Sequence, residues 1–144
     1  MICALIGDRM VDHLKEDQLE RQLRELIEQE HISMFIFGYF GLFERSALRV
    51  IKRLQRDYPL LDYAVMLTGR KKAYPSEPEI DYLHAFYPQK SWLFPGQFGL
   101  LLKYRALASA ADAVAFFNGK RKTIAANWIC QATQRKRLYD LTLE

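Results

Sequence analysis

The feature that most constrains the fold of this chain is a set of short, predominantly apolar runs separated by longer amphipathic stretches. The runs cover residues 2–6, 33–37, 61–67, 113–117 and 138–143. They are too short for ordinary helices, and they do not alternate between apolar and polar residues as a strand with one solvated face does. Such runs are typical of strands that are buried on both faces of a parallel sheet.

Amphipathic or alanine-rich stretches between these runs predict helices. In the first stretch, Leu19, Leu23 and Leu26 recur at spacings of three and four residues, which places them on one helix face. The predicted helices cover residues 14–29, 44–56, 99–111 and 124–134. Because strands and helices alternate, we predict an α/β fold in which a mostly parallel sheet carries helices on both faces. A single domain is expected over residues 1–144.

The stretch from residue 68 to residue 96 differs from the rest of the chain. It holds Pro75, Pro78, Pro88 and Pro95, which are four of the five prolines. We predict a long ordered loop here, with a short strand at residues 91–94. Loops of this length inside a domain are usually functional.

Composition excludes several classes of protein. Hydrophobic residues make up 50% and charged residues 26% of the chain, values that are typical of globular proteins. No apolar run approaches the roughly 20 residues of a membrane span, and the first residues lack the basic segment of a signal peptide, so we expect a cytoplasmic protein without membrane contact. Cys3 and Cys130 are expected to be buried free thiols. The three histidines show no ligand-type spacing, so neither a metal site nor a separate cofactor is expected.

The net charge of +4 is unevenly distributed. Residues 114–139 contain six basic residues and no acidic one. A second basic group shares one face of the helix predicted over residues 44–56: Arg45, Arg49, Lys52, Arg53 and Arg56. Such clusters favour an anionic partner, whether a nucleotide, a nucleic acid or an acidic surface. The ordinary alternative for each cluster is a solvated face.

Ligands of open parallel sheets bind at the carboxyl ends of the strands, so the loops that follow the predicted strands are candidates. Gly38 and Gly41 lie between a predicted strand and a predicted helix, whose free N–H groups would favour phosphate. Arg9 follows the first strand and could pair with a phosphate, or form a surface salt bridge to Glu44. Tyr39 could stack on a base or belong to the core.

Four short motifs, in order, resemble those of a known superfamily. Residues 6–9 (IGDR) are similar to its strand-end motif tGhR, and residues 37–45 (FGYFGLFER) to vGxxGxFDr. Residues 54–59 (LQRDYP) are similar to Lkxx-yP, and residues 109–117 (SAADAVAFF) to xxSDxviay. This is the SLOG superfamily of Rossmann-like nucleotide-binding proteins, and within it the small bacterial YpsA-type proteins. The superfamily also contains DprA-type DNA-processing proteins and LOG-type phosphoribohydrolases.

The resemblance covers nearly the whole chain and implies a Rossmann-like fold with a pocket for a nucleotide or a nucleotide-derived ligand. By carry-over, the first motif, the glycine loop and the acidic positions supply these site residues: Gly7, Arg9, Gly38, Gly41, Glu44 and Asp112. The loops at the carboxyl ends of the predicted strands add three more predicted ligand-binding residues: Tyr39, Asn118 and Thr123. Asp112 could equally cap or orient the loop before the strand that follows it. Homodimers are common in the superfamily, and one is a further expectation here.

This chain also departs from the superfamily pattern. Glu44 replaces an aspartate, and residues 103–107 (KYRAL) stand where the superfamily has RNxWM. The late double-glycine turn is replaced by residues 119–123 (GKRKT), and the LOG-type segment PGGxGTxxE is absent. We therefore predict ligand binding without an assigned reaction. A phosphoribohydrolase-like enzyme that uses Glu44, and a nucleic-acid-binding protein that uses the basic helix face, remain as alternatives.

Overall fold

The apolar runs of the sequence form the strands of one sheet. The computed structural model describes residues 1–7, 16–38, 42–67, 84–86, 97–118 and 137–142. The strands are β1 (Ile2–Gly7), β2 (Met34–Gly38), β3 (Asp62–Met66), β4 (Ala85–Phe86), β5 (Ala113–Asn118) and β6 (Arg137–Thr142). The helices described are α1 (Glu16–Gln29), α2 (Leu42–Asp57) and α3 (Gln97–Ala110).

The six strands lie in the order β4-β3-β2-β1-β5-β6, and all the strand pairs are parallel. From β1 the chain proceeds through β2 and β3 to one edge, and it then returns to place β5 on the other side of β1. The direction of strand order therefore reverses between β1 and β5, which makes this the topological switch point. The predicted class is confirmed: the chain has a Rossmann-like α/β fold.

Helices cover both faces of the sheet. Helices α1 and α2 pack on one face, and α3 packs on the other. Side chains of β1 alternate accordingly, because successive residues of a strand point to opposite faces. Cys3 and Leu5 join the core under α1 and α2, whereas Ala4 and Ile6 join the core under α3. This two-sided burial is the physical reason why the strand sequences are apolar without alternation.

Strand β4 is the main difference from the predicted elements. It has two residues within the stretch predicted as a long loop, and it is joined to β3 partly by the Leu67 N–H, which donates to the Phe86 carbonyl at 2.8 Å. Just before it, the His84 ring stacks on Tyr63 with centroids 4.6 Å apart. A two-residue strand is too short to produce a sequence pattern. The strand predicted at residues 91–94 and the helix predicted at 124–134 lie outside the described residues.

Within the described ranges, no helix has the length and hydropathy needed to cross a bilayer.

The end of α1 provides a first prediction. His31 has a φ of 57°, in the left-handed region, and the turn allows the N–H of Ile32 to donate to the Leu26 carbonyl at 3.4 Å. Residues with a Cβ pay roughly 1–2 kcal/mol for this conformation, and glycine does not. We expect His31→Gly to raise the free energy of unfolding by about 1 kcal/mol in a denaturant titration. His31→Ala keeps the Cβ and should give no gain. Equal stability of the glycine and alanine variants would contradict this explanation.

The buried thiol of Cys3 provides a second prediction. Burial raises the pKa of Cys3 from 9.0 to about 12. Between these values the unfolded chain loses the thiol proton while the folded protein keeps it, so stability that is present below pH 9 is lost as the pH rises. The ionisation of Cys3 alone should increase the equilibrium constant for unfolding by up to about tenfold for each pH unit in this range.

The measurement compares denaturant unfolding at pH 8 to 10.5 for two proteins, Cys130→Ser alone and Cys130→Ser with Cys3→Ala. Stability should fall more steeply with pH in the protein that retains Cys3. Parallel pH profiles would show that Cys3 ionises equally well in the folded and unfolded states.

Candidate functional site

Three strands end together at the switch point. Gly7 ends β1, Gly38 ends β2 and Asn118 ends β5, and parallel pairing brings their carboxyl ends to one edge of the sheet. Helix α2 begins at Leu42, shortly after β2, so its N-terminus lies at the same edge. The N–H groups and the dipole of a helix N-terminus favour anions. This edge is the candidate site.

Gly7 is required there by the packing of α2. A Cβ placed on Gly7 would lie 2.3 Å from Cγ of Phe43, far inside the distance that real Cβ atoms keep. The Phe43 ring is buried and lies 5.1 Å, centroid to centroid, from the ring of Phe117 on β5. Phe43 therefore fills the space over the end of β1 on the face of α1 and α2. The structure gives Gly7 a packing role, in addition to the ligand-contacting role implied by the resemblance.

Glu44 follows Phe43 in the first turn of α2 and is 8% exposed. A carboxylate at this position interacts favourably with the positive end of the helix dipole. Burial of a carboxylate is costly unless hydrogen-bond donors or cations face it. Glu44 therefore places a carboxylate in the first turn of α2, at the carboxyl edge of the sheet.

Tyr104 reaches the same edge from the opposite face. It lies on α3, is 5% exposed, and its hydroxyl donates to the Gly7 carbonyl across 3.5 Å. That distance is long for a hydroxyl donor, so the contact is weak. Tyr104 is not among the site residues predicted from the sequence. The only signal was its place in residues 103–107, which depart from the superfamily stretch.

Asp112 does not join this group, and its placement in the site is corrected. Its carboxylate accepts a hydrogen bond from the Ile2 N–H at 2.9 Å, and its own N–H donates to the Ile2 carbonyl at 2.8 Å. Asp112 thus lies at the amino ends of β1 and β5, roughly 16 Å from Gly7 at the rise of an extended strand. The alternative, that Asp112 orients the chain before β5, agrees with these contacts.

The remaining predicted site residues are placed only in part. Asn118 is the last residue of β5, so its backbone lies at the edge. Four others lie outside the described residues: Arg9, Tyr39, Gly41 and Thr123. Within the described ranges, no group of three or more His, Cys, Asp or Glu residues is arranged to hold a metal ion.

The basic face of α2 is divided by its neighbour α1. Arg49 contacts Glu16 at 2.8 Å. Arg53 contacts Glu16 at 3.3 Å and Glu20 at 3.8 Å. These exposed pairs contribute little to stability, but they compensate two of the five positive charges that the sequence places on this face. Of the six basic residues between 114 and 139, those at 120–122 and 135–136 lie outside the described residues, and Arg137 contacts Glu30 at 3.0 Å.

The contact between Gly7 and Phe43 provides a third prediction. We expect Gly7→Ala to destabilise the protein by about 1–3 kcal/mol in denaturant unfolding, because the Phe43 ring must move. A Phe43→Ala background, which itself costs about 3–5 kcal/mol, removes the contacts with the ring and leaves only the Cβ of residue 43, at 2.8 Å from the added methyl group. The Gly7→Ala cost should then fall without vanishing, which a double-mutant cycle measures. An undiminished cost in that background would place the strain elsewhere.

Comparison with known proteins identifies no family for this chain. No protein-family model matches it, and no curated protein matches it. The site is therefore defined by the topology, contacts and charges of the chain itself.

Proposed function

We propose that this protein binds a nucleotide or a nucleotide-derived ligand at the carboxyl ends of β1, β2 and β5. The observation that carries the proposal is the reversal of strand order between β1 and β5, with the N-terminus of α2 at the same edge. Open α/β sheets bind their ligands at such switch points. Membership of the SLOG superfamily and a cytoplasmic location are parts of the same proposal, and the motif order supports them.

The groups at the edge suit different parts of such a ligand. The N-terminus of α2 would face a phosphate, because its N–H groups and dipole favour negative charge. The carboxylate of Glu44 would accept hydrogen bonds from ribose hydroxyls. Phe43 fills the space over Gly7 on one face, so the ligand would lie beyond the strand ends, towards the side of Tyr104.

The positions of the two acidic residues favour ligand binding over catalysis as the proposed function. Two acidic residues were candidates for this edge: Glu44 lies in the first turn of α2, whereas Asp112 bonds to Ile2 at the amino ends of the strands. A mechanism that needs both carboxylates at one bond therefore loses its support. The phosphoribohydrolase-like alternative is correspondingly weaker.

The experiment is a thermal-shift panel with AMP, ADP, ATP, NAD, ADP-ribose and a cyclic dinucleotide. A ligand present at a hundred times its dissociation constant adds about 2.7 kcal/mol to the free energy of unfolding. For a domain of this size we expect a rise in Tm of roughly 5–15 °C with at least one compound.

Two variants locate the binding. Glu44→Gln should reduce the ligand-induced rise in Tm, because a neutral amide accepts hydrogen bonds more weakly than a carboxylate. Glu30→Gln is the matched control: Glu30 contacts Arg137 and Tyr139 near the amino ends of the strands, so the ligand-induced rise should be retained. Equal effects of the two variants would contradict the placement of the ligand. No rise with any compound would contradict the proposed function.

A further inference from the structure

We infer that the outer face of α2 is a binding surface for the phosphate backbone of a nucleic-acid duplex, and that it consists of Arg45, Lys52 and Arg56. This surface, called here the outer row, lies on the solvent side of the helix, away from the core. The inference does not depend on the ligand site at the carboxyl edge.

Acidic side chains of α1 neutralise part of the basic face of α2, and the outer row is the part that they do not contact. Arg49 and Arg53 are held by Glu16 and Glu20 on α1. None of the three outer-row residues has an ion-pair partner in the part of the chain that the structure describes, and all three are exposed. The sequence presents five equivalent cations, whereas the structure separates them into two that are paired and three that have no ion pair with any described residue.

Helix geometry aligns these three charges. At 100° and 1.5 Å per residue, Arg45, Lys52 and Arg56 fall within about 40° of arc and extend about 16 Å along the helix axis. A strand of duplex carries one negative charge per about 3.4 Å of axis. A straight row of this length can therefore contact several phosphates of one strand.

The surroundings favour a duplex over other anionic partners. Insertion into a lipid surface needs apolar residues beside the cations, but the apolar residues of α2, such as Ile51 and Leu54, are completely buried against the sheet. Single-stranded nucleic acid is usually bound with exposed aromatic side chains that stack on bases. The exposed positions of α2 carry none, and Tyr58 beyond its end is engaged by Arg24 and Glu28. Contacts to the backbone alone predict weak binding without sequence preference.

The experiment measures fluorescence anisotropy of a labelled 20-base-pair DNA duplex between 20 and 150 mM salt. Two double variants are compared with the unaltered protein, and each removes two arginine charges. Arg45→Gln with Arg56→Gln changes the outer row, and Arg49→Gln with Arg53→Gln changes the paired residues. Circular dichroism and Tm confirm that both variants are folded.

The outer-row variant should bind at least roughly tenfold more weakly at low salt, and the slope of log K against log salt should lose about 1.8 in magnitude, which corresponds to two phosphate contacts. The paired variant should lose much less. Equal losses in the two variants would show a general charge effect and overturn the inference. The same holds if the unaltered protein binds no duplex, or if it binds vesicles with anionic lipid and not the duplex.

Discussion

Strand β1 is enclosed on every side, and the rest of the structure is arranged around it. Its two edges pair with β2 and β5, and its side chains enter both cores. After β1 the chain adds β2, β3 and β4 on one side of it, and then crosses back to add β5 and β6 on the other side. The strand order therefore reverses beside β1. The candidate site is a direct consequence, because that reversal opens the crevice at which α/β sheets bind ligands. At its end, Gly7 has no side chain, and this lets Phe43 anchor the start of α2 against the sheet.

Much of this fold could be predicted from the sequence, because strands that are buried on both faces of the sheet appear as short apolar runs without alternation. The five predicted strands agree with the structure to within about two residues at each described end, and α1, α2 and α3 lie where periodicity or composition placed them. Strand β4 could not be found, because its two residues are held by backbone pairing with β3 and by His84 stacked on Tyr63. Those are long-range contacts, and no local pattern encodes them.

The candidate site was harder to predict than the fold, because the superfamily resemblance assigned Asp112 to the site although Asp112 precedes the strand predicted at residues 113–117. Asp112 precedes β5 and Glu44 follows β2, so parallel pairing puts them at opposite edges of the sheet. Tyr104 reaches the site through the packing of α3, which sequence spacing alone does not show. The charge pattern of the sequence likewise indicated the basic face of α2 without its ion pairs. Which arginines of this face are paired depends on the packing of α1, whose Glu16 contacts two of them.

We propose that a nucleotide-like ligand binds at the carboxyl edge of the sheet. The most direct test is an NMR titration of uniformly ¹⁵N-labelled protein with ADP-ribose and AMP, which follows every assigned backbone amide. We expect the largest shifts at the amides of Gly7, Gly38 and Phe43, and no change at Ile2 and Asp112 at the amino edge. Shifts concentrated at the amino edge, or no shifts at saturating concentrations of both compounds, would contradict it.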